Sequence, residues 1–193
     1  MTQNAISIVP ARKEQAAEIA NLIMEAMDHD CCQNFAGQEH TLDDFHRMMT
    51  ALVRLDDSQY SYLNTLVAME GDEVAGCIVG YDGKDLLTLR KRFVEAAKEF
   101  LGRDFSAMDE ETRKGEYYID SLCVKAKFRK RGIATKLIRA IIDRHGEQPV
   151  GLLVDHTHTW AERLYVAIGF RFVNETEWGG HAMNHLQYPA RQA

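Results

Sequence analysis

Residues 117–142 constrain the fold more than any other stretch of the chain. Tyr117 to Val124, YYIDSLCV, reads as a strand, and KFRKRGIATK follows it from Lys127 to Lys136. Five of the seven residues from Lys125 to Arg131 are Lys or Arg, in a chain whose formal charge is -6. Gly132 then introduces a helix with Ile133, Leu137, Ile138, Ile141 and Ile142 on one face, ending near Gly146. A strand that turns through a glycine-bearing loop straight into a helix belongs to an α/β fold. It also leaves the first-turn N–H groups unpaired and aims the positive end of the helix dipole at the loop, which suits a phosphate. Gly132 lets the backbone approach closely, Ala134 keeps the next face small, and Arg129, Lys130 and Arg131 can add charge-assisted hydrogen bonds. GxxxxGK[ST] is absent and no GxGxxG follows a strand, which speaks against a P-loop and a Rossmann dinucleotide site.

The rest of the chain fits one domain over 1–193, long enough to bury about two thirds of its unfolded surface. Ile6 to Val9 reads as a short strand, and Arg12 to Asp28 as a helix with Ala16, Ile19, Ala20, Ile23 and Met27 on one face. Residues 28–37, DHDCCQNFAG, read as a connection without a period. Thr41, with Asp44 three residues on, caps a helix whose apolar face carries Leu42, Phe45, Met49, Leu52 and Val53. Thr65 to Met69 and Glu73 to Val79 form a hairpin around Glu70-Gly71-Asp72. Residues 84–115 hold an amphipathic helix and a polar turn segment, an insertion on the sheet. Pro149 to Val154 is an apolar strand buried on both faces, Trp160 to Ile168 a helix closed by Gly169, and Phe170 to Val173 a last strand. Trp160 is expected to pack against the sheet.

The net acidity argues against a general nucleic-acid binder, which carries a broad basic face. No apolar stretch reaches the roughly 18 residues of a membrane span, and the N-terminus lacks the pattern of a secretion signal. Cys31, Cys32, Cys77 and Cys123 include no CxxC pair, so neither a disulfide framework nor a zinc site is expected, and a reducing cytoplasm fits. His156 and His158 alternate, but no third metal ligand is placed by spacing.

Arg129-x-x-Gly132-x-Ala134, between a strand and a helix, resembles the pyrophosphate loop of the GNAT-type N-acetyltransferase superfamily, which binds acetyl-coenzyme A. A second block, LLVDHTHTWAERLYVAIGF, resembles the family's next segment through Ala161, Leu164, Tyr165, Gly169 and Phe170. The two blocks stand in the family's order over about residues 117–175. The resemblance implies an α/β fold: a mixed, mostly antiparallel β-sheet flanked by helices, with the 84–115 helical insertion between strands 3 and 4. It implies transfer of an acetyl group from acetyl-CoA to a primary amine by direct attack in a ternary complex, without a metal.

The same resemblance implies site residues. Backbone groups of Leu122, Cys123 and Val124 would pair with the pantetheine arm, an N–H of Leu122 or Cys123 polarising the thioester carbonyl. Arg129, Lys130, Arg131, Gly132, Ile133, Ala134 and Thr135 would hold the pyrophosphate. His158 stands where family members often carry a cofactor-contacting Asn. Asp120 is the candidate base, Glu116 the reserve at the more exposed start of the strand, and Tyr165 the acid for the departing thiolate. Each has a plainer reading: strand packing for Leu122 to Val124, an Arg-paired or loop-capping aspartate for Asp120, a core tyrosine for Tyr165. The Cys123 thiol reads as an inert small hydrophobe rather than a nucleophile. Asp28, Asp30 and Glu39 would suit a cationic amine, on a small molecule or a peptide, or form a solvated acidic loop. The insertion is a lid or a dimer interface, and EWGGHAMNHLQY is the candidate for pairing in a homodimer. Two rivals stay open: a non-catalytic acyl-CoA-binding sensor, and a nucleic-acid or partner-binding module working through residues 125–131.

Overall fold

The computed structural model describes residues 5–191; residues 1–4 and 192–193 of the expected single domain lie outside the described residues. Seven strands form one sheet: β1 (Ile6–Pro10), β2 (Thr65–Glu70), β3 (Glu73–Asp82), β4 (Tyr117–Val124), β5 (Val150–Asp155), β6 (Arg171–Trp178) and β7 (His181–Tyr188). Their order is β1-β2-β3-β4-β5-β7-β6, and every pairing is antiparallel except β4 with β5. The expected mixed, mostly antiparallel sheet is present. The C-terminal strands differ from their reading: Gly179 and Gly180, both at positive φ, close a β6–β7 hairpin. Most of EWGGHAMNHLQY, the expected dimer-pairing segment, is β7, paired on both sides by β5 and β6 within the sheet, which leaves β6 as the edge.

Helices cover both faces. On one side lie α1 (Ala16–Met27), α2 (His29–Ala36), α3 (Leu42–Arg54) and α4 (Leu86–Leu101). Ile19, Ile23, Phe45, Met48 and Leu52 there share a core with Val79 and Cys123. On the other, α5 (Ile133–His145) buries Leu137, Ile138 and Ile141 against Ile78, Ile119 and Leu152. Thr41 and Asp44 form the anticipated reciprocal cap of α3, with the Thr41 N–H donating to Asp44 Oδ2 at 2.8 Å. The insertion enters between β3 and β4 as expected, and α4 packs Phe93, Ala97 and Leu101 into the first core.

Within residues 28–37, expected to be an irregular connection, His29–Ala36 forms a helix. Asp28 breaks α1 with a φ of 77° and accepts the Asp30 N–H at 2.8 Å, capping α2. Cys32, Phe35 and Ala36 stand at helical spacing, and Phe35 stacks among Phe45, Phe93 and Phe105. Three apolar residues in eight were too short a signal to read. Trp160 does not pack on the sheet; it is 72% exposed at the start of α6 (Thr159–Ile168). Val166 of the same helix is also exposed, as are Phe172 and Val173 of β6, the edge strand, nearly all of whose residues face solvent. Among the described residues no helix is long and apolar enough to cross a membrane.

Candidate active site

The site is organised by where β4 lacks a neighbour. β4 pairs with β3 along its whole length, from Gly76 opposite Val124 to Asp82 opposite Tyr117. With β5 it pairs only at Tyr117–Val150 and Tyr118–Gly151. Beyond Tyr118 the two parallel strands diverge, and one edge of β4 is left open. The Lys125 N–H donates to Ala75 of β3 at 2.9 Å. Backbone alternation then turns the groups of Cys123 toward β3 and those of Leu122 and Val124 toward the opening. Of the two expected N–H donors, Leu122 therefore faces the gap and Cys123 does not. The Val124 carbonyl accepts from Arg129 Nε at 3.0 Å on that side. Burial, aided by the neighbouring Glu25, pushes the Cys123 thiol up to about 12, so it stays protonated and inert as a nucleophile.

The open edge leads to the start of α5. Gly132 is the N-cap with φ 72° and ψ 12°, a left-handed conformation that glycine adopts without penalty. A Cβ there would meet no atom within 4 Å, so the space before the helix is free. No side chain caps α5, and its first helical bond runs from Lys136 N to Gly132 O at 3.1 Å. The N–H groups of Ile133, Ala134 and Thr135 thus lack intrahelical partners, while the Ile133 side chain is buried in the core.

The basic run resolves differently from its appearance in the sequence. Lys125 pairs with Glu18, Lys127 with Glu73 at 2.6 Å, Arg129 with Glu25 at 2.5 Å and Arg131 with Glu70 at 2.5 Å. Among the described residues Lys130, itself at φ 62°, is the member of the run with no carboxylate partner. Four of the five cations are therefore answered by glutamates of α1 and the β2–β3 hairpin. They clamp the loop in place, and little free positive charge remains for a polyanion.

Asp120 owes its position to a β-bulge. Val79 faces Ser121 and Gly80 faces Ile119, so Asp120 is the extra residue on β4. The bulge switches the faces of the strand: Tyr117 and Ile119 point to the α5 side, whereas Cys123 two pairs later points to the α1 side. A Cβ on Gly80 would lie 2.7 Å from the Tyr117 ring and 2.8 Å from the Tyr118 carbonyl, so only glycine lets the strands close here. Bulges of this kind re-aim side chains next to active sites. Asp120 accepts from Ser121 Oγ at 2.8 Å, Tyr81 Oη at 3.1 Å and Gln59 Nε2 at 3.4 Å. Burial raises its pKa above the ordinary aspartate value, against those hydrogen bonds and the charge of Arg90.

Tyr165, partly buried on α6, packs on Phe170 with ring centroids 5.6 Å apart. Burial pushes its hydroxyl up to about 12, which keeps the proton on the phenol at neutral pH. It stands close enough to Tyr118 that ionising one opposes ionising the other.

Glu116 is not the exposed reserve expected at the strand's start. It is 4% exposed and accepts from Thr112 Oγ1 at 2.6 Å and Gln187 Nε2 at 2.7 Å, with His185 Nε2 at 2.8 Å. Burial opposes its ionisation, yet these three partners hold its pKa below the ordinary value. A carboxylate so committed fastens β7 to the start of β4 rather than taking protons from substrate. His158 is exposed at the N-cap of α6, where its carbonyl, not its ring, accepts from Ala161 N at 2.9 Å. The carboxylate of Asp28 is spent capping α2, and Asp30 and Glu39 are exposed. Sequence reading missed Tyr81, Gln59 and Arg90 around Asp120, since each approaches from a distant segment.

The profile of the Acetyltransferase (GNAT) family matches residues 21–170. An N-acetyltransferase from Staphylococcus aureus Mu50 superposes with a TM-score of 0.81 at 25% identity, over 94% of this chain and 100% of that one. A second acetyltransferase structure superposes with a TM-score of 0.79 at 28% identity, over 96% of this chain and 100% of that one. No curated protein matches the sequence.

Proposed function

The chain belongs to the GNAT acetyltransferase family, and from that premise we propose that it moves the acetyl group of acetyl-CoA to a primary amine, on a small molecule or a peptide, by direct attack in a ternary complex. The observation that carries the reading is the open edge of β4 running from the bulged Asp120 to the uncapped helix at Gly132. In this reading the Leu122 N–H polarises the thioester carbonyl and the Gly132 to Thr135 backbone, with Lys130, receives the pyrophosphate. The amine gives a proton to Asp120 and its nitrogen attacks the carbonyl carbon. The C–S bond then breaks, Tyr165 protonates the departing thiolate, and the second proton shed by the nitrogen as the amide forms restores the Tyr165 phenol. Four glutamates matched to the basic run weigh against the nucleic-acid alternative.

Thermal unfolding with acetyl-CoA, CoA and ATP tests the cofactor. At about 100 times its dissociation constant a ligand adds about 2.7 kcal/mol, which moves the midpoint of a domain this size by roughly 5–10 °C. Both coenzymes are expected to produce that shift and ATP none; no shift with either coenzyme overturns the reading. Tyr165→Phe is expected to lower kcat by about tenfold or more while the coenzyme-induced shift stays intact, since the acid acts only as the thiolate leaves. An equal kcat in the variant would remove Tyr165 from the chemistry and revive the non-catalytic alternative.

The edge of β6 suits a second copy of the chain. Two such edges pair antiparallel about a twofold axis, and pairing would cover Phe172, Val173 and unpaired backbone that an edge strand otherwise leaves open. Light scattering should then give twice the 22.0 kDa chain mass, reduced to a monomer by Phe172→Asp; a wild-type monomer excludes it.

A further inference from the structure

We infer that the 84–115 insertion is part of the acceptor-side machinery, where Arg90 and Glu111, acting through the Tyr81 hydroxyl, set the protonation of Asp120. Arg90 and Glu111 are only 5% and 8% exposed and form an ion pair inside the protein. Arg90 lies on the buried stripe of α4 that otherwise carries Leu86, Phe93, Ala97 and Leu101. An apolar residue would serve packing there at least as well, because burying two charges costs several kcal/mol that their attraction barely offsets. The pair needs a reason other than stability, and Tyr81 supplies one. Its hydroxyl oxygen, which carries a single proton, stands 2.9 Å from Glu111 Oε1 and 3.1 Å from Asp120 Oδ2.

One proton between two carboxylates gives two states. When Asp120 is ionised, Tyr81 donates to it. When Asp120 has taken the amine's proton, its new O–H can donate to the Tyr81 oxygen, while Tyr81 turns its own proton to Glu111. Glu111, paired with the Arg90 guanidinium, offers Tyr81 an acceptor oxygen in that state. The product state of proton transfer is then fully hydrogen-bonded inside the protein, with no net proton moved beyond Asp120. Tyr81, Arg90 and Glu111 are positioning residues, since they reach the reacting atoms through Asp120. The other ionisable groups facing this cluster are Tyr60 before β2 and Tyr118 on β4, with Cys31 of α2 beside Tyr60. Burial pushes the Tyr60 and Tyr118 phenols far up, and it raises the Cys31 thiol as well. They stay neutral while Asp120 titrates.

The catalytic consequence rests on Asp120 being the base, so the test reads Asp120 directly. Protein carrying carboxyl-13C aspartate, with Asp120 assigned by its loss in Asp120→Asn, is titrated by NMR as wild type, Tyr81→Phe and Glu111→Gln. Removing the donor in Tyr81→Phe is expected to raise the Asp120 midpoint by about one pH unit. Freeing the Arg90 charge in Glu111→Gln is expected to lower it by a similar amount. Tyr81→Phe keeps the ring and the ion pair, so it remains informative if Glu111→Gln does not fold. Opposite shifts, matched by the acid limb of kcat/KM for acetyl transfer to an amine, support the inference. Midpoints unchanged in Tyr81→Phe overturn it, even where transfer activity persists and the acetyltransferase reading stands. Shifted midpoints in a protein that transfers acetyl groups without regard to Asp120 would leave the network intact and remove Asp120 as base.

Discussion

Asp120→Asn is expected to lower kcat for acetyl transfer by about 10²- to 10⁴-fold, the usual worth of a positioned general base, with binding of acetyl-CoA unaffected. The amide keeps the shape and most of the contacts. Its carbonyl oxygen can still accept from Tyr81 and Gln59, and the Ser121 hydroxyl can turn to accept from the new NH2. What is lost is the capacity to take a proton. The same variant is expected to unfold at a higher temperature than wild type at neutral pH. Burial raises the folded pKa of Asp120 above its unfolded value, so wild-type stability is greatest below the unfolded pKa and declines as pH rises through the folded one. An amide undergoes no such ionisation. The difference in midpoint should therefore be larger at pH 8 than at pH 4, a stability gained at the expense of activity. A variant with near wild-type kcat, measured by thiol release from acetyl-CoA, would remove Asp120 from the mechanism.

Gly132→Glu is expected to abolish the 5–10 °C stabilisation by acetyl-CoA (roughly 2.7 kcal/mol of linkage at saturating ligand). A glutamate would bring a carboxylate to the free space before α5, where the helix end and Lys130 now favour an anion. It would also hold a Cβ-bearing residue at φ 72°, which costs about 1–2 kcal/mol of fold stability. Gly132→Ala separates the two effects: the backbone cost remains, the charge does not. Both variants should unfold a few degrees lower than wild type without ligand, and the alanine variant alone should retain a coenzyme shift. A full shift in Gly132→Glu would place the pyrophosphate elsewhere.

Three corrections have distinct physical causes. Glu116 reads as exposed because it begins a strand after a polar turn, yet Thr112, His185 and Gln187 converge on it across 4 to 71 positions of sequence. Trp160 reads as core because it is large and apolar, yet its helix buries no residue fully. Residues 28–37 read as irregular because the helical period has only eight residues in which to show itself. For Glu116 and for Phe35 of α2 the deciding contacts come from segments distant in the chain, whereas Trp160 simply meets no neighbour that buries it.

The sequence by itself determined what depends on near neighbours. The period of α3, α4 and α5, the cap at Thr41, the hairpin at Gly71 and the strand–glycine–helix passage through Gly132 all rest on dihedral preferences and spacings within a dozen residues. Those elements were legible, and with them the family resemblance. Tertiary structure alone decided the divergence of β4 from β5, because strand pairing is a property of two segments and their register. It alone made Asp120 a bulge, matched the cations of residues 125–131 to Glu18, Glu25, Glu70 and Glu73, and brought Glu111 within one hydroxyl of Asp120. Charge and hydrogen-bonding capacity are written in each residue, but which group answers them is set only when the chain closes on itself.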